Sequence, residues 1–460
     1  MLLWQTQSNE LPLLELFLVF TTAVFFFHFY VDWRQLQALK IKSPPKEVEG
    51  TDLADPAEFS KTRQYSIDKW FFSAYQSCYS LLETWAIFLF GALPYAWRLS
   101  GTLLHQAATL MGPIFWPSST QAVTNMLTEE GNTLSQCCQS AVFVLLLIYA
   151  QTLLSLPWSM YFTFVVEQRH GFNKQTPRLF LWDALQSVIL IGIFAPPLTM
   201  AITYILIWGG TWLPFYLCGF MLCMSLLFMT IYPTLIQPLF NKCEPLPEGS
   251  LRSKIEALAS SLEFPLKKLF TIDGSKRSAH SNAYMYGFFS NKRIVLFDTL
   301  VNSCTEEECV AVLAHELGHW KLGHTMMLFS GMQVYTLIQF SLFAAIRSSP
   351  HLYSSFGFGA ELGTPAIVSL LLFLLVISPV DEVLSFLLNI VSRAFEFQAD
   401  AFAAGLGYGK ELRAALLRLS KENKGTLHVD PWYSAMHYSH PPLVQRLGAI
   451  NANMDQKKRL

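Results

Sequence analysis

His315, Glu316 and His319 stand in the order HExxH within His315-Glu316-Leu317-Gly318-His319. With 11 His in 460 residues, chance predicts about 0.01 such matches in the chain. Thr305 and Glu308 have the spacing of a capping box, and Val310, Val312, Leu313 and Leu317 follow it. The sequence therefore predicts a helix from residue 306 onward. Residues i and i+4 share a helix face, so two neutral imidazoles can bind one Zn²⁺, with Glu316 beside the metal-bound water as general base. A third protein ligand is still needed. In the extended pattern HExxHxxGxxH, positions 322 and 325 would be Gly and His, but they are Leu322 and Thr325. His324 falls about 140° around a continued helix from His319 and is expected off the metal face, as a histidine at a membrane interface. The alternative is Glu396, with Asp400 one turn on. Glu396 would close the metal shell, and Asp400 would accept a hydrogen bond from the outer nitrogen of a ligand His.

The elements that must bring residues 319 and 396 together emerge from composition. The chain is 52% hydrophobic and only 14% charged, far below the roughly 25% charged of soluble domains. A net charge of −1 provides no basic field for nucleic acid. Apolar runs near 11–30, 71–97, 139–166, 179–207, 212–236, 326–346 and 365–390 approach the ~20 residues that cross a bilayer. No Lys or Arg precedes the first run, which is too long for a signal-peptide core and reads as a retained anchor. Seven spans place 30 of the 32 Lys and Arg on one side and 2 on the other. This predicts a lumenal N-terminus and a cytosolic C-terminus. Spans six and seven form a hairpin whose two cytosolic ends, carrying His319 and Glu396, become neighbours.

Two polar stretches, 241–325 and 391–460, lie on the cytosolic side and together are large enough for one domain. The expected organisation is 1–240 as five spans, 241–325 as the HExxH segment, 326–390 as two spans, and 391–460 as the segment with the third ligand. Glu15, Glu83, Asp183, Asp381 and Glu382 inside or beside the runs are costly facing lipid. They predict either pairing with another helix or a wet cavity. Pro157, Pro196, Pro197, Pro214, Pro233 and Pro379 predict kinked helices around such a hollow. Loop 31–70, with Pro44-Pro45 and mixed charges, reads as a solvated linker. The eight cysteines form no CxxC pair and read as small buried hydrophobes. The polar stretch Gly274–Tyr284 and the β-rich run Arg293–Phe297 read either as an exposed strand edge that could take an extended peptide by main-chain pairing or as an ordinary surface hairpin.

Several segments resemble the type I integral-membrane CaaX prenyl proteases, the prelamin A processing enzyme family. They are HELGHWKLGH (315–324), SRAFEFQADAFA (392–403), GSKRSAHSNAYMYGFF (274–289), RIVLFDTL (293–300), HYSHPPLVQRL (437–447) and LPWSMYFTFVVEQRHGFN (156–173). The resemblance implies that His315, His319 and Glu396 hold one Zn²⁺, that Glu316 is the base, that His440 steadies the transition state and that Asn282 holds the substrate backbone. It further implies seven helices around a water-filled chamber: an all-α polytopic membrane protein with a cytosolic zincin-like α+β metalloprotease domain built from two segments. Only about four residues separate Leu300 from Thr305, where some relatives insert a charged loop. The implied reaction is removal of the aaX tripeptide from prenylated Cys-a-a-X proteins at the endoplasmic reticulum membrane, with the inner nuclear membrane as a further location. Lys457 and Lys458 resemble a retrieval signal for that compartment. Two other readings compete: a membrane zinc protease that clears misfolded or translocon-stalled proteins, and a non-enzymatic seven-helix receptor or transporter in which HExxH is coincidental.

Overall fold

The structure is a computed structural model that describes residues 11–115, 125–127, 129, 131–287 and 292–459. The side chains of Lys457 and Lys458 lie outside the described set, as do Phe288 and Phe289.

Among the described residues, six helices are long and apolar enough to cross a membrane: Leu13–Leu39, Thr133–Glu167, Pro177–Trp208, Gly210–Phe240, His324–Ile346 and Ala366–Gly405. A seventh span is a pair, Pro56–Leu89 and Ala92–Leu110, bent by 65°. The expected continuous run 71–97 is thus broken. Pro94 lacks the N–H that would bond to the Phe90 carbonyl, and its ring crowds that turn. Successive spans pack on one another in chain order, and the seventh packs on the first, which closes a ring. Pro157, Pro196, Pro197 and Pro379 lie inside these helices, Pro214 opens one, and Pro233 sits in a π-helical turn.

One end of the ring is plugged by buried Trp97, Phe143, Leu206, Phe343, Tyr353 and Val368. Phe343 is 19 residues along the sixth span from His324, roughly 28 Å at helical rise, so this plug is remote from the HExxH end. Between them the second span turns polar residues toward its neighbours. Ser77, Ser80 and Thr84 join His28 and Asp32 around a cavity of about 260 Å³, and Gln76 and Glu83 join Gln151 and Ser155 around one of about 270 Å³. Three of the costly acids are paired across elements. Asp183 accepts from Arg277, Glu382 meets His28 at 2.7 Å, and Asp381 accepts from Tyr335 and Gln339. Glu83 takes the cavity alternative, with Oε1 buried and unpartnered.

At the other end a four-stranded sheet has the order β1 (Cys243–Pro245), β2 (Leu266–Ile272), β4 (Lys292–Phe297), β3 (Ala283–Tyr286). The run 293–297 therefore lies inside the sheet, and Ile294, Val295 and Leu296 are fully buried. The edge belongs to β3, which pairs antiparallel with β4 from Ala283↔Leu296 to Tyr286↔Arg293. After β4 the chain forms a short helix, Asp298–Ser303, before the HExxH helix Glu306–Lys321 begins. One apolar core contains Ile255 and Leu258, Ile294 and Leu296, and Leu313 and Leu317, together with Ala403 from the end of the last spanning helix and Leu412 and Ile450 from beyond it. Two stretches separated by two spans are thus packed as one body.

Loop 31–70 is not a solvated linker. Val48, Leu53 and Phe59 are buried against Leu427 and Leu447. The first connection is thereby fastened to the C-terminal segment, and its three widely spaced apolar residues gave no periodic signal.

Candidate active site

The HExxH helix is fixed at its start and along one face. The Thr305 hydroxyl accepts from the Glu308 amide at 3.2 Å and Glu308 accepts from the Thr305 amide at 2.9 Å, which completes the capping box. Arg418 then donates to Glu308 at 3.0 Å and ties the helix start to the C-terminal segment. One turn before its end, Gly318 faces the long helix Ala366–Gly405. A Cβ there would stand 3.1 Å from Phe402 Cδ1 and 3.3 Å from the Ala399 Cα. An added side chain would require these neighbours to give by a few tenths of an ångström, so glycine suits the close approach of the two helices.

The approach brings Glu396 to the two histidines. One ligand atom from each of His315, His319 and Glu396 lies within 4.8 Å of the others. The Nε2 atoms of His315 and His319 are 3.2 Å apart, and each lies 3.2–3.4 Å from a Glu396 oxygen. Glu396 Oε2 is buried with no hydrogen-bond partner. Two imidazole nitrogens and an orphaned carboxylate oxygen aimed at one point are a donor set that fits Zn²⁺, whose catalytic sites use three protein ligands.

A second layer orients these groups. Asp400, 0% exposed, lies with Oδ1 2.9 Å from His315 Nδ1. Donation from Nδ1–H to Asp400 leaves the Nε2 lone pair free for a metal. Arg446 holds Asp400 through two bonds of 2.6 and 2.8 Å, and its third nitrogen stands 3.4 Å from Glu396 Oε2. Sequence reasoning gave Arg446 no part, because it lies 46 residues from Asp400 on the helix Leu443–Arg459.

His324 is outside the ligand group, as expected, and opens the sixth span. It is buried, stacked on Phe395 at 4.1 Å, with Nδ1 3.0 Å from His319 Nδ1 and Nε2 3.0 Å from Gln398 Oε1. Its place beside His319 follows from a break: the HExxH helix ends at Lys321. Gly323 adopts φ 72, and a new helix starts at His324, so the 100° step per residue does not carry across.

Burial raises the Glu316 carboxyl above the ordinary carboxylate range, and the neighbouring His315 and His319 partly oppose that rise. A raised pKa suits a general base. His440 lies with Nδ1 3.0 Å from Glu396 Oε1 and keeps 68% of its side chain exposed. Asn282 is exposed immediately before β3, its side-chain oxygen accepting from the Ala283 amide at 2.8 Å. Of the residues singled out by sequence, six gather at one centre, and Asn282 stands on the strand edge beside the HExxH helix.

The metal-free site predicts a pH dependence. Burial alone would push the His315 imidazolium down, but Asp400 and Glu396 outweigh it and hold it up to about 9. Below that pH, zinc must displace the proton, so the apparent zinc affinity should rise about tenfold per pH unit up to about pH 9. Asp400→Asn should weaken zinc binding 10- to 100-fold and move the levelling-off to lower pH. Competition with a chromogenic chelator measures both, and an affinity independent of pH would refute the assignment.

Residues 35–242 match the family described as CAAX prenyl protease N-terminal, five membrane helices, and residues 245–454 match peptidase family M48. The CAAX prenyl protease 1 homolog of Oryza sativa subsp. japonica is 48% identical, over 97% of this chain and 99% of that one. The Homo sapiens homolog is 39% identical over 97% of each. A crystal structure of S. mikatae Ste24p superposes with a TM-score of 0.85 at 37% identity, covering 96% of this chain and 100% of that one. The likeness runs through spans, sheet and HExxH helix together, and the chain belongs to the CAAX prenyl protease 1 family, the multi-pass membrane metallopeptidases of peptidase family M48.

Proposed function

We propose that this chain is a zinc endopeptidase that removes the aaX tripeptide from prenylated Cys-a-a-X proteins. It works at the cytosolic face of the endoplasmic reticulum membrane, with its N-terminus lumenal and its C-terminus cytosolic. The catalytic unit is 241–325 with 391–460, carried by spans 1–240 and 326–390. The observation that carries the reading is the convergence of His315, His319 and the unpartnered Glu396 oxygen beside the raised carboxyl of Glu316. The names of the relatives support the prenylated substrate, and the charge split between the two sides of the spans supports the orientation.

Zinc held by His315, His319 and Glu396 would supply Lewis acidity and lower the pKa of water toward neutrality. The chain supplies the rest. Glu316 accepts the proton of the attacking water on its carboxylate and returns it to the leaving amine. Asn282, at the entry to the edge strand, holds the substrate main chain, and β3 offers it a strand to pair with. His440 donates to the oxyanion that develops on the scissile carbonyl. Its exposed ring and position on the open side of Glu396 leave it free to turn to substrate, and Pro441 and Pro442 stiffen the chain that presents it.

Such a donor is worth roughly 10²–10³ in rate. His440→Ala should therefore lower kcat by that factor with little change in KM, whereas Asn282→Ala should mainly raise KM. Loss of zinc from His440→Ala would make it a ligand, and unchanged kcat would remove its role. The reading itself is tested by mass spectrometry of a farnesylated Cys-a-a-X peptide and its non-prenylated counterpart, with and without chelator. Release of aaX from the farnesylated peptide alone, abolished by chelator, is the expected result. Equal cleavage of both peptides would favour a protease of broader use.

A further inference from the structure

A cavity of about 370 Å³ lies at the amino-terminal end of the edge strand and takes no part in the chemistry above. Lys69, Glu167 and Arg277 supply its charges, and His280 lines it beside them. Glu167 is satisfied: the Tyr65 hydroxyl donates to it at 2.5 Å, and His280 Nε2 lies 3.3 Å away. His280 is itself fixed, stacked on Phe172 at 4.2 Å with Nδ1 3.2 Å from Asn423 Oδ1. Arg277 spends Nε and Nη2 on Asp183, both at 2.8 Å, and its Nη1 is left buried without a partner. The Lys69 ammonium rests over the Tyr65 ring at 5.0 Å and forms no ion pair among the described residues. Arg277 matches Asp183 through two of its nitrogens, while the Glu167 oxygens are taken by Tyr65 and His280, so Lys69 Nζ and Arg277 Nη1 are the donors left without a hydrogen-bonded partner among the described residues. A buried donor without an acceptor is costly until an acceptor meets it.

We propose that this cavity binds the α-carboxylate of the substrate's C-terminal residue, with Lys69 Nζ and Arg277 Nη1 as its donors. The proposal rests on the aaX-releasing reading above and adds to it the end of the substrate that is recognised. The chain direction agrees. A peptide that pairs antiparallel with β3 has its C-terminus at the Asn282 end of that strand, and one that pairs parallel has it beyond Tyr286. The Lys69 ammonium and the unpartnered Arg277 nitrogen are at the Asn282 end, so the substrate runs antiparallel. Three residues beyond the cut span about 10 Å in extended form, and the chain preceding Asn282 carries His280 and Arg277 two and five residues back. Charge-assisted hydrogen bonds to a carboxylate would satisfy Lys69 Nζ and Arg277 Nη1 together. A tripeptide-releasing enzyme could thereby measure its cut from the free end of the substrate.

The test compares one farnesylated Cys-a-a-X peptide as the free acid and as the C-terminal amide, cleaved by the full-length enzyme. The readout is the ratio of kcat/KM for acid over amide, measured on a single preparation so that losses of folded enzyme cancel. The wild-type ratio should be roughly 10 to 100, the range for a hydrogen bond to a charged group. Lys69→Gln should lower it about tenfold, and Lys69→Arg, which keeps the cation, should retain most of it. Arg277→Lys keeps a charge for Asp183 but lacks the spare nitrogen, and should also lower the ratio. Equal wild-type cleavage of acid and amide would overturn the subsite while leaving the prenyl protease reading intact, as would an unchanged ratio in both Lys69→Gln and Arg277→Lys. If the wild type cleaves neither peptide, the prenyl reading falls and the subsite falls with it.

Discussion

Glu316→Gln is expected to keep its full complement of zinc and to lose cleavage by 10² to 10⁴ in kcat. Glu316 is one residue from His315 and three from His319, so its side chain leaves the ligand face while staying beside the reacting water. Burial has raised its pKa, and the change from carboxylate to amide preserves volume. What the amide cannot do is accept a proton. The zinc content of purified Glu316→Gln, by elemental analysis, separates this from a folding defect: stoichiometric zinc with lost turnover is the signature. Near-normal turnover would end the metallopeptidase mechanism for this chain.

What was legible in the sequence follows the range over which each residue acts. His315 and His319 were legible because their partnership is local: a capping box at Thr305 and a spacing of four fix both imidazoles on one face. Glu396 is 77 residues from His319, yet it became legible because a membrane imposes a hairpin, and the ends of two consecutive spans must meet. Arg446 had no such help. It reaches Asp400 through packing of the final helix against the seventh-span helix, and a lone Arg carries no spacing signal. His324 was correctly kept out of the ligand group, but its contact with His319 was not legible, because Gly323 breaks the helix between them. The strand Arg293–Phe297 was recognised as a strand but given the wrong place, because sheet order depends on pairing between distant segments. Its uninterrupted apolar run Ile294-Val295-Leu296 was a sign of an interior strand. The buried Val48, Leu53 and Phe59 show the same limit, since their partners Leu427 and Leu447 lie at the other end of the chain.

Glu396→Ala should lose the metal itself, and with it more activity than removal of the base, because nothing else at the site lowers the pKa of water. His315 and His319 alone leave a two-ligand site, short of the three that catalytic zinc requires. The loss also reaches beyond the metal. Glu396 is the anion that faces His315, His319, His440 and one nitrogen of Arg446, and its removal leaves these groups gathered at a centre that has lost one of its three carboxylates. Asp400 still compensates Arg446 through two bonds, so the helix packing should survive. The expected pattern is a folded protein with substoichiometric zinc, cleavage below detection and no recovery on adding zinc at neutral pH. Glu396→Asp, which keeps the charge on a shorter arm, should regain part of the metal. Circular dichroism, zinc content and cleavage of the farnesylated peptide, measured on one preparation, check all three. Full zinc occupancy in Glu396→Ala would show that the third ligand lies elsewhere, and His440, 3.0 Å from the deleted carboxylate, would be the next residue to replace.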